Sequence, residues 1–372
     1  MTGIKNFARE AGLVATTTIG AGIFALPFVY YKAGWAMTLF ALAVFSAVII
    51  SAHILYLKVL AKVKEKHRLL GLVRIYLGET AFKAGFVVVV GGLFLTLVIF
   101  LLLAGRFLNL IYPSLSDPGA LVVFWLASSI PLGLGLKRLL GAELAGGIFI
   151  AAIVFFIFFN TGPGGVRPPE ANFNFDNLVV LFGATIFSLA GWTAIEPVLD
   201  FKKNQKKGLG KKVGFNVASG TILAAIIYLI FVAAIFASAG KITEDTLSGL
   251  TNWPRWKLNL LGLLGLFAIW TSYLPIALEI KNSIEKDLRW SRIASLALVV
   301  FVPLVLIAVG FNNFSAVIGL VGGVFLAFQY LFIIWVSKKV LVLSWPKRIL
   351  ANLLILVFLL VAFYEVYYFV VK

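Results

Sequence analysis

Cysteine is absent from the 372-residue chain, and histidine occurs only twice, at His53 and His67. The absence of cysteine excludes disulfides, thiolate metal sites and cysteine catalysis. The sequence also contains no paired-aspartate motif, no nucleophile–base pair and no clustered set of metal ligands. These absences argue against a membrane enzyme, and we therefore expect neither catalytic residues nor a cofactor.

Charge is scarce as well, because only 13% of the residues are charged whereas 62% are hydrophobic. A soluble domain averages about 25% charged and about 45–50% apolar residues. Apolar runs of about 20 residues recur along the whole chain, which is enough to cross a roughly 30 Å hydrocarbon layer as helices. Lipid cannot satisfy an exposed backbone, so these continuous runs predict helices. The predicted fold class is all-α, a multi-pass protein of the cell membrane, either inner or plasma.

The basic residues predict the orientation of the spans. Lys and Arg give a net charge of +17, and most of the 32 basic residues fall in alternate loops. This alternation follows the positive-inside rule, so it indicates membrane topology and not nucleic-acid binding. It predicts eleven spans with a cytoplasmic N-terminal tail and an external C-terminus, and a short amphipathic helix at Leu69–Leu77 ending at Gly78. The predicted spans are 11–31, 35–60, 85–112, 119–136, 142–160, 177–199, 214–238, 257–283, 294–310, 314–337 and 347–370.

Two of these spans are interrupted in the middle. Span 1 contains Gly20, Gly22 and Pro27, and span 6 contains Gly191 and Pro197. Nearly the same number of residues separates Pro27 from Pro197, the start of span 3 from the start of span 8, and the start of span 5 from the start of span 10. Five is an odd number, so two five-span repeats start on opposite sides of the membrane and are inverted. Within a single domain, 1–372, we therefore predict repeat 1 at 11–160 and repeat 2 at 177–337, with 347–370 outside the symmetry.

The interruptions have a direct physical meaning. Glycine and proline free backbone groups near mid-membrane, and lipid cannot satisfy those groups. Such a break is tolerated where it lines a polar cavity. Half-helix N-termini favour an anion such as a carboxylate, while free carbonyls favour an ammonium group or Na⁺, and an amino acid zwitterion offers both charges. The alternative is that Gly20 and Gly22 only permit close helix packing.

The run GLVATTTIGAGIFALPFVYYKAGW, at 12–35, resembles the first helix of the amino acid/polyamine/organocation superfamily. It is most similar to the aromatic and hydroxy amino acid permease branch. YLGET at 76–80 and AIEPV at 194–198 resemble further family stretches, although Glu196 and Pro197 are swapped in the second. The resemblance implies a LeuT-type 5+5 inverted-repeat fold plus one C-terminal helix, alternating access and amino acid uptake.

The resemblance also implies a substrate site at the two breaks. Backbone amides of the segment 18–22 would meet the substrate carboxylate, and carbonyls near Thr16 and Thr17 and in span 6 would accept its amino group. An aromatic residue just past the second break would cover the side-chain pocket. The substrate-binding residues predicted in this way are Thr17, Thr18, Ile19, Gly20, Ala21, Gly22, Phe187, Ser188, Gly191 and Trp192.

Thr271 and Ser272 in span 8 match the position of a family Na⁺ site that is shared with span 1 carbonyls near Gly20. Related proton-coupled permeases carry a Thr-Ser pair too, so the coupling ion is Na⁺ or H⁺, and no other metal is expected. Alternatively, the two hydroxyls bond to their own helix backbone.

Acids inside a membrane are rare and usually functional. Glu196 and Glu279 lie near the predicted cytoplasmic face. Glu196 is a candidate for a proton relay; the alternatives are an ion pair with Arg9 in an inner gate and simple solvation at that face. Glu279 is a candidate for the same proton or gate roles.

These observations predict a secondary active transporter that takes up neutral amino acids with a cation, aromatic substrates being favoured. Two alternatives stay open: a transporter-like amino acid sensor, and a carrier of another small organic cation or amine. A divalent-metal carrier on the same fold would need an Asp-Pro-Gly-Asn type of break, where this chain has Gly-Ala-Gly-Ile. The expected partners are the amino acid substrate and the lipid bilayer, with no nucleic acid, and the chain is expected to be a monomer.

Overall fold

The computed structural model describes residues 2–63, 67–134, 139–161, 165–166, 175–204, 211–244, 246, 249–250 and 253–371. Every regular element in this part of the chain is a helix. In chain order the helices are α1 (Thr2–Thr18), α2 (Gly22–Lys62), α3 (Leu69–Leu77), α4 (Glu79–Ile111), α5 (Asp117–Leu134), α6 (Leu139–Phe159), α7 (Phe175–Leu189), α8 (Ile195–Asn204), α9 (Lys211–Ser238), α10 (Arg255–Lys286), α11 (Arg292–Ala308), α12 (Phe314–Val340) and α13 (Trp345–Val371).

The helices fall on the spans that the apolar runs predict. Among the described residues, seven helical stretches are long and apolar enough to cross a membrane, and shorter apolar helices lie between them. The segment predicted to be a cytoplasmic tail is helical from Thr2. The number of crossings, the side of each terminus and the division into two repeats stay predictions.

Two glycines make the turns that separate neighbouring segments. Gly34 lies inside α2 with φ +76 and ψ 163, so it divides α2 into 22–33 and 35–62, where the sequence predicts spans 1 and 2 to separate. Gly78 ends α3 with φ +91. Glycine adopts positive φ without the steric cost that a Cβ brings, which explains its presence at both turns. The short helix α3 has the bounds that the sequence predicts.

The broken segments lie in the middle of the bundle. Helix α1 packs against α6 and α9, α2 packs against α7, and α4 packs against α10. Small residues allow close approach, as at Gly265, where an added Cβ would lie 2.3 Å from ring atoms of Phe107. Large apolar side chains at the periphery are exposed, among them Phe301 and Phe363. An apolar exterior of this kind suits acyl chains as the surrounding solvent.

Two helices contain short π-helical stretches, Phe86–Gly91 in α4 and Leu320–Leu326 in α12. The two stretches pack against each other. A π-helical turn displaces carbonyls from the regular ladder and is frequent near functional sites. Here the Val88 carbonyl accepts from the Gly92 N–H of its own helix and also from a side chain behind the second break.

Candidate functional site

The first break is the three-residue gap between α1 and α2. Helix α1 ends at Thr18 and α2 begins at Gly22. The Ile19 N–H still donates to the Ala15 carbonyl at 2.9 Å, but the Gly20 N–H turns back to the Thr18 carbonyl at 2.9 Å. No side chain caps the start of α2. The first amides of a helix have no partner inside it, so the α2 N-terminus presents N–H groups and its positive dipole end to the gap.

The second break separates α7 from α8. Helix α7 ends at Leu189, a single 3₁₀ turn occupies Trp192–Ala194, and α8 follows. Gly191 lies between them with φ −130 and ψ 22, outside helical geometry. The structure therefore interrupts both spans where glycine and proline predict it.

The two breaks face each other at contact distance. A Cβ added at Gly22 would lie 2.4 Å from the Ser188 Oγ and 2.6 Å from the Ser188 Cα. A Cβ added at Gly191 would lie 2.3 Å from the Thr18 Oγ1. At Gly22 the clash includes the Ser188 backbone, so the two broken helices approach each other there only because the residue is glycine; at Gly191 the close atom is a side-chain hydroxyl, which rotation of Thr18 can move away.

Tyr228 of α9 joins the carbonyl ends of the two half-helices. Its hydroxyl oxygen lies 2.8 Å from the Thr18 carbonyl oxygen and 2.6 Å from the Ser188 carbonyl oxygen. One hydroxyl proton can satisfy only one of these carbonyls at a time. Two carbonyls thus converge on one point and keep acceptor capacity for a further donor. Tyr228 could not be singled out from the sequence, since an aromatic residue in an apolar helix is usually a packing residue.

A small cavity of about 40 Å³ lies between the breaks. Seven of the predicted substrate residues line it, whereas Ile19, Ser188 and Gly191 lie behind its wall. Those seven are Thr17, Thr18, Gly20, Ala21, Gly22, Phe187 and Trp192. The remaining wall, which the sequence did not predict, consists of Leu93, Thr96, Phe100, Ala190, Thr193, Ile276 and Leu326. Backbone polarity at one end and an apolar wall are the usual make-up of a small-molecule site.

Trp192 is held in a fixed orientation at the cavity wall. It is buried, and its indole Nε1–H donates to the Gln329 Oε1 at 2.8 Å. The amide nitrogen of Gln329 donates in turn to the Val88 carbonyl at 3.0 Å, in the π-helical stretch of α4. The tryptophan therefore connects the second break to α12 and α4.

A second buried polar chain lies behind the same break. The His53 Nε2 is 3.1 Å from the Tyr330 hydroxyl, and the His53 Nδ1 is 3.5 Å from the Thr221 Oγ1. A Cβ at Gly191 would lie 3.6 Å from the His53 ring. The sequence did not indicate this supporting role, because His53 lies in an unbroken apolar run.

The predicted ion residues divide into two groups. The Ser272 hydroxyl faces the first break, with its oxygen 3.5 Å from the Ile19 carbonyl oxygen, and a Cβ at Gly20 would lie 3.2 Å from the same hydroxyl. The Thr271 hydroxyl donates to the Phe267 carbonyl of its own helix at 2.9 Å. The structure therefore brings Ser272, Gly20 and Ile19 together, and it shows the backbone hydrogen bond that was the alternative for Thr271.

The two predicted acids are joined by Arg68, a residue that the sequence did not single out. Its Nη1 lies 2.6 Å from the Glu196 Oε2, and the same nitrogen bonds to the Glu279 carboxylate. The Tyr56 hydroxyl donates to the Glu196 Oε1 at 2.7 Å. Glu279 is buried, and a buried carboxylate needs a paired charge of this kind. Arg9, the predicted gate partner, lies exposed on α1.

Comparison with known proteins agrees with this geometry. Residues 5–161 match the model of the tryptophan/tyrosine permease family. The structure of MhsT in complex with L-phenylalanine is similar at 15% identity, covering 96% of this chain and 98% of that chain, with a TM-score of 0.66. A manganese transporter of Eremococcus coleocola is similar at 11% identity, covering 98% and 87%, with a TM-score of 0.65. Mhp1, a nucleobase-cation-symport-1 family transporter with bound bromovinylhydantoin, is similar at 12% identity, covering 87% and 77%, with a TM-score of 0.61. No curated protein matches the chain in sequence.

These matches confirm two predictions. The resemblance of the first span to aromatic amino acid permeases is confirmed by the family match over 5–161. The all-α LeuT-type fold of a multi-pass membrane protein is confirmed by the structural similarity over nearly the whole chain. At such low identities the solved structures show the fold alone, so the roles of the individual site residues stay predictions.

Proposed function

We propose that the chain is a secondary transporter that takes up neutral amino acids, aromatic ones in particular, together with a cation by alternating access. One observation carries the proposal: the two broken helices meet beside a cavity that Gly20, Gly22 and Trp192 line, and the Thr18 and Ser188 carbonyls converge on one point next to it. The family match over 5–161 and the L-phenylalanine bound by MhsT support an aromatic substrate.

The N-terminus of α2 would hold the substrate carboxylate. Gly20, Ala21 and Gly22 line the cavity there, and the first amides of α2 have no partner within the helix. Backbone amides at a helix N-terminus form an anion site without any cationic side chain. The absence of a Cβ at Gly22 lets the second broken helix approach this N-terminus at Ser188, which brings the two breaks together.

The carbonyl ends of α1 and α7 would hold the amino group. The Thr18 and Ser188 carbonyl oxygens both approach the Tyr228 hydroxyl, so they point into one small region. An ammonium group donates three hydrogen bonds, and the C-terminal dipole ends of two half-helices favour its charge. The two ends of a zwitterion would thus bind to opposite ends of the paired breaks.

The substrate side chain would lie against the apolar wall. Phe100, Phe187, Trp192, Ile276 and Leu326 supply this surface, and the Trp192 orientation is fixed by Gln329. Aromatic pairs contribute about 0.5–1.5 kcal/mol beyond the burial of their area. The volume of about 40 Å³ means that this wall must open to admit an aromatic side chain, as alternating access requires.

The coupling ion would bind beside the first break. The Ser272 hydroxyl and the Ile19 carbonyl are oxygen ligands close to Gly20, and oxygen ligands from an unwound helix suit Na⁺. In a proton-coupled carrier no ion would lie between these two oxygens, and the Ser272 hydroxyl would bond to the Ile19 carbonyl directly.

The test is uptake of labelled amino acids into proteoliposomes that contain the purified chain, with Na⁺ and pH gradients imposed separately. We expect accumulation of aromatic amino acids that depends on one of the two gradients. Binding of a labelled amino acid without any uptake would indicate a sensor. Neither binding nor uptake of any amino acid, with organic amines carried instead, would replace the proposed substrate class.

A further inference from the structure

A second cavity, which shares no lining residue with the cavity between the breaks, opens between the end of α2, the segment 341–344 and the start of α13. Its volume is about 310 Å³, larger than that of the cavity between the breaks. Lys58 and Lys347 contribute its charged groups, and its apolar wall includes Ile54, Leu343 and Leu350. We call this cavity the lysine groove.

The charge around the lysine groove has one sign. The segments 51–63 and 337–352 contain six basic residues and no acidic residue. Two of these cations are already bound within the fold: the Lys62 ammonium donates to the Val340 carbonyl at 2.7 Å, and the Lys338 ammonium donates to the Asn352 Oδ1 at 2.8 Å. Lys58 and Lys347 make no hydrogen bond or ion pair with any residue that the structure describes. They are therefore available to an anion that enters the groove.

The walls of the groove exclude a purely ionic ligand. Leu350 and its neighbour along α13, Leu353, are exposed apolar residues, and Val342 is 94% exposed. In a multi-pass membrane protein such surfaces face acyl chains. A ligand that fits must carry a negative group for the two ammonium groups and a long apolar part for the leucine and isoleucine side chains. Phospholipids with a net negative head group have both properties.

The position of the groove indicates which leaflet of the membrane supplies the lipid. Its lysines lie at the helix ends that the charge bias assigns to the cytoplasm, and that side of a membrane carries the anionic lipids that attract basic segments. A zwitterionic lipid also has a phosphate, but its own ammonium group would meet the same lysines. Net charge therefore distinguishes the two lipid classes at this site.

We propose that the lysine groove binds one anionic phospholipid of the cytoplasmic leaflet, with the phosphate between Lys58 and Lys347 and an acyl chain along Ile54, Leu343 and Leu350. This inference is independent of the proposed transport function, because none of its residues lines the cavity between the breaks.

The experiment measures lipid binding to the full chain purified in detergent, by native mass spectrometry and by the shift in thermal unfolding midpoint. The probes are dioleoyl phosphatidylglycerol, dioleoyl phosphatidylcholine and water-soluble glycerol phosphate. A hydrogen bond to a charged group contributes about 1.5–3 kcal/mol, so loss of both ammonium contacts in Lys58→Gln with Lys347→Gln should weaken phosphatidylglycerol binding more than about 100-fold. The matched control is Lys338→Gln with Lys339→Gln, which removes the same charge at the same face but outside the groove. It should weaken phosphatidylglycerol binding by less than about tenfold.

A second variant pair tests the acyl part. Ile54→Ser with Leu350→Ser keeps every charge and should weaken phosphatidylglycerol binding without changing the response to glycerol phosphate. Equal losses in the groove and control lysine pairs would overturn the proposal in favour of diffuse surface attraction. Equal binding of phosphatidylcholine, or glycerol phosphate binding as tight as that of the lipid, would overturn it as well. Circular dichroism and gel filtration of each variant establish that a loss of binding is not a loss of fold.

Discussion

Substitution of Gly22 by leucine should abolish uptake while leaving expression and membrane insertion intact. A Cβ at this position would lie 2.4 Å from the Ser188 Oγ, 2.6 Å from the Ser188 Cα and 2.8 Å from the Ser188 Cβ. Because one of these atoms is backbone, rotation of the serine side chain cannot relieve the clash. The two broken helices must therefore move apart, which displaces the α2 N-terminus from the cavity of about 40 Å³ that it lines.

The expected magnitude follows from the hydrogen bonds that the substitution blocks. A hydrogen bond to a charged group contributes about 1.5–3 kcal/mol, so loss of two amide bonds to the carboxylate costs about 3–6 kcal/mol. This cost corresponds to a decrease in substrate affinity of more than about 100-fold. Overpacking adds about 1–3 kcal/mol, which is small compared with the contacts that hold a multi-pass bundle together. Uptake should therefore fall to background in a chain that still folds.

The assay is initial-rate uptake of labelled phenylalanine, tyrosine and tryptophan into proteoliposomes. Gly214→Leu is the matched control, since Gly214 lies in helix α9 and a Cβ added there meets nothing within 4 Å. The control should transport at the wild-type rate. Uptake by Gly22→Leu within a few-fold of wild type, with reconstituted protein at equal amounts, would refute the assignment of the carboxylate to this break.

Four further predictions follow from the same structure. Thr271→Ala with Ser272→Ala should remove Na⁺ dependence of uptake, and uptake that never depended on Na⁺ would give the coupling role to protons. Tyr228→Phe leaves two buried carbonyls of the empty site without their shared donor, at about 1–3 kcal/mol, and a bound ammonium group relieves this cost, so the KM for the amino acid should fall about tenfold in uptake assays. Arg68→Gln leaves two acids without their cation, at about 3–5 kcal/mol for a broken buried pair, and should lower the thermal unfolding midpoint. Burial, and to a lesser extent the charge of a nearby glutamate, raises the pKa of Asp287 from 3.8 to about 6. The folded chain therefore binds this proton more tightly than the unfolded chain, and the free energy of unfolding should decline as pH rises from about 4 to about 6. Asp287→Asn should remove that decline.

Matched substitutions separate these effects from general damage. Tyr367→Phe removes a hydroxyl from a tyrosine that is exposed on α13 and should leave the KM unchanged. Arg74→Gln breaks the exposed pair with Glu79 in the same connecting segment as Arg68 and should leave the unfolding midpoint nearly unchanged. A KM change in the first control, or an equal midpoint loss in the second, would contradict the roles given to Tyr228 and Arg68.

The breaks could be predicted because their cause is local. Gly20, Gly22 and Gly191 act through their own backbone, and no distant residue is needed to see that a helix with such a sequence is weak at mid-membrane. The same holds for Gly34 and Gly78, whose positive φ ends a segment wherever the rest of the chain lies. Local steric rules therefore predict the breaks and the end of α3 at Gly78, whereas the separation of the first two spans is predicted from the apolar runs.

The side chains that bond to the breaks could not be predicted. A break leaves backbone groups without hydrogen-bond partners, but it does not specify which residue supplies the partner. A free carbonyl at Thr18 or Ser188 requires a donor, but any hydroxyl, amide or ammonium at that point satisfies it equally. The donor is Tyr228, which is 210 residues from Thr18 and 40 from Ser188 along the chain. Arg68 likewise reaches Glu279 over 211 residues. Such pairs are selected by the packing of whole helices, so a single sequence shows that a partner must exist while the fold alone decides which residue it is.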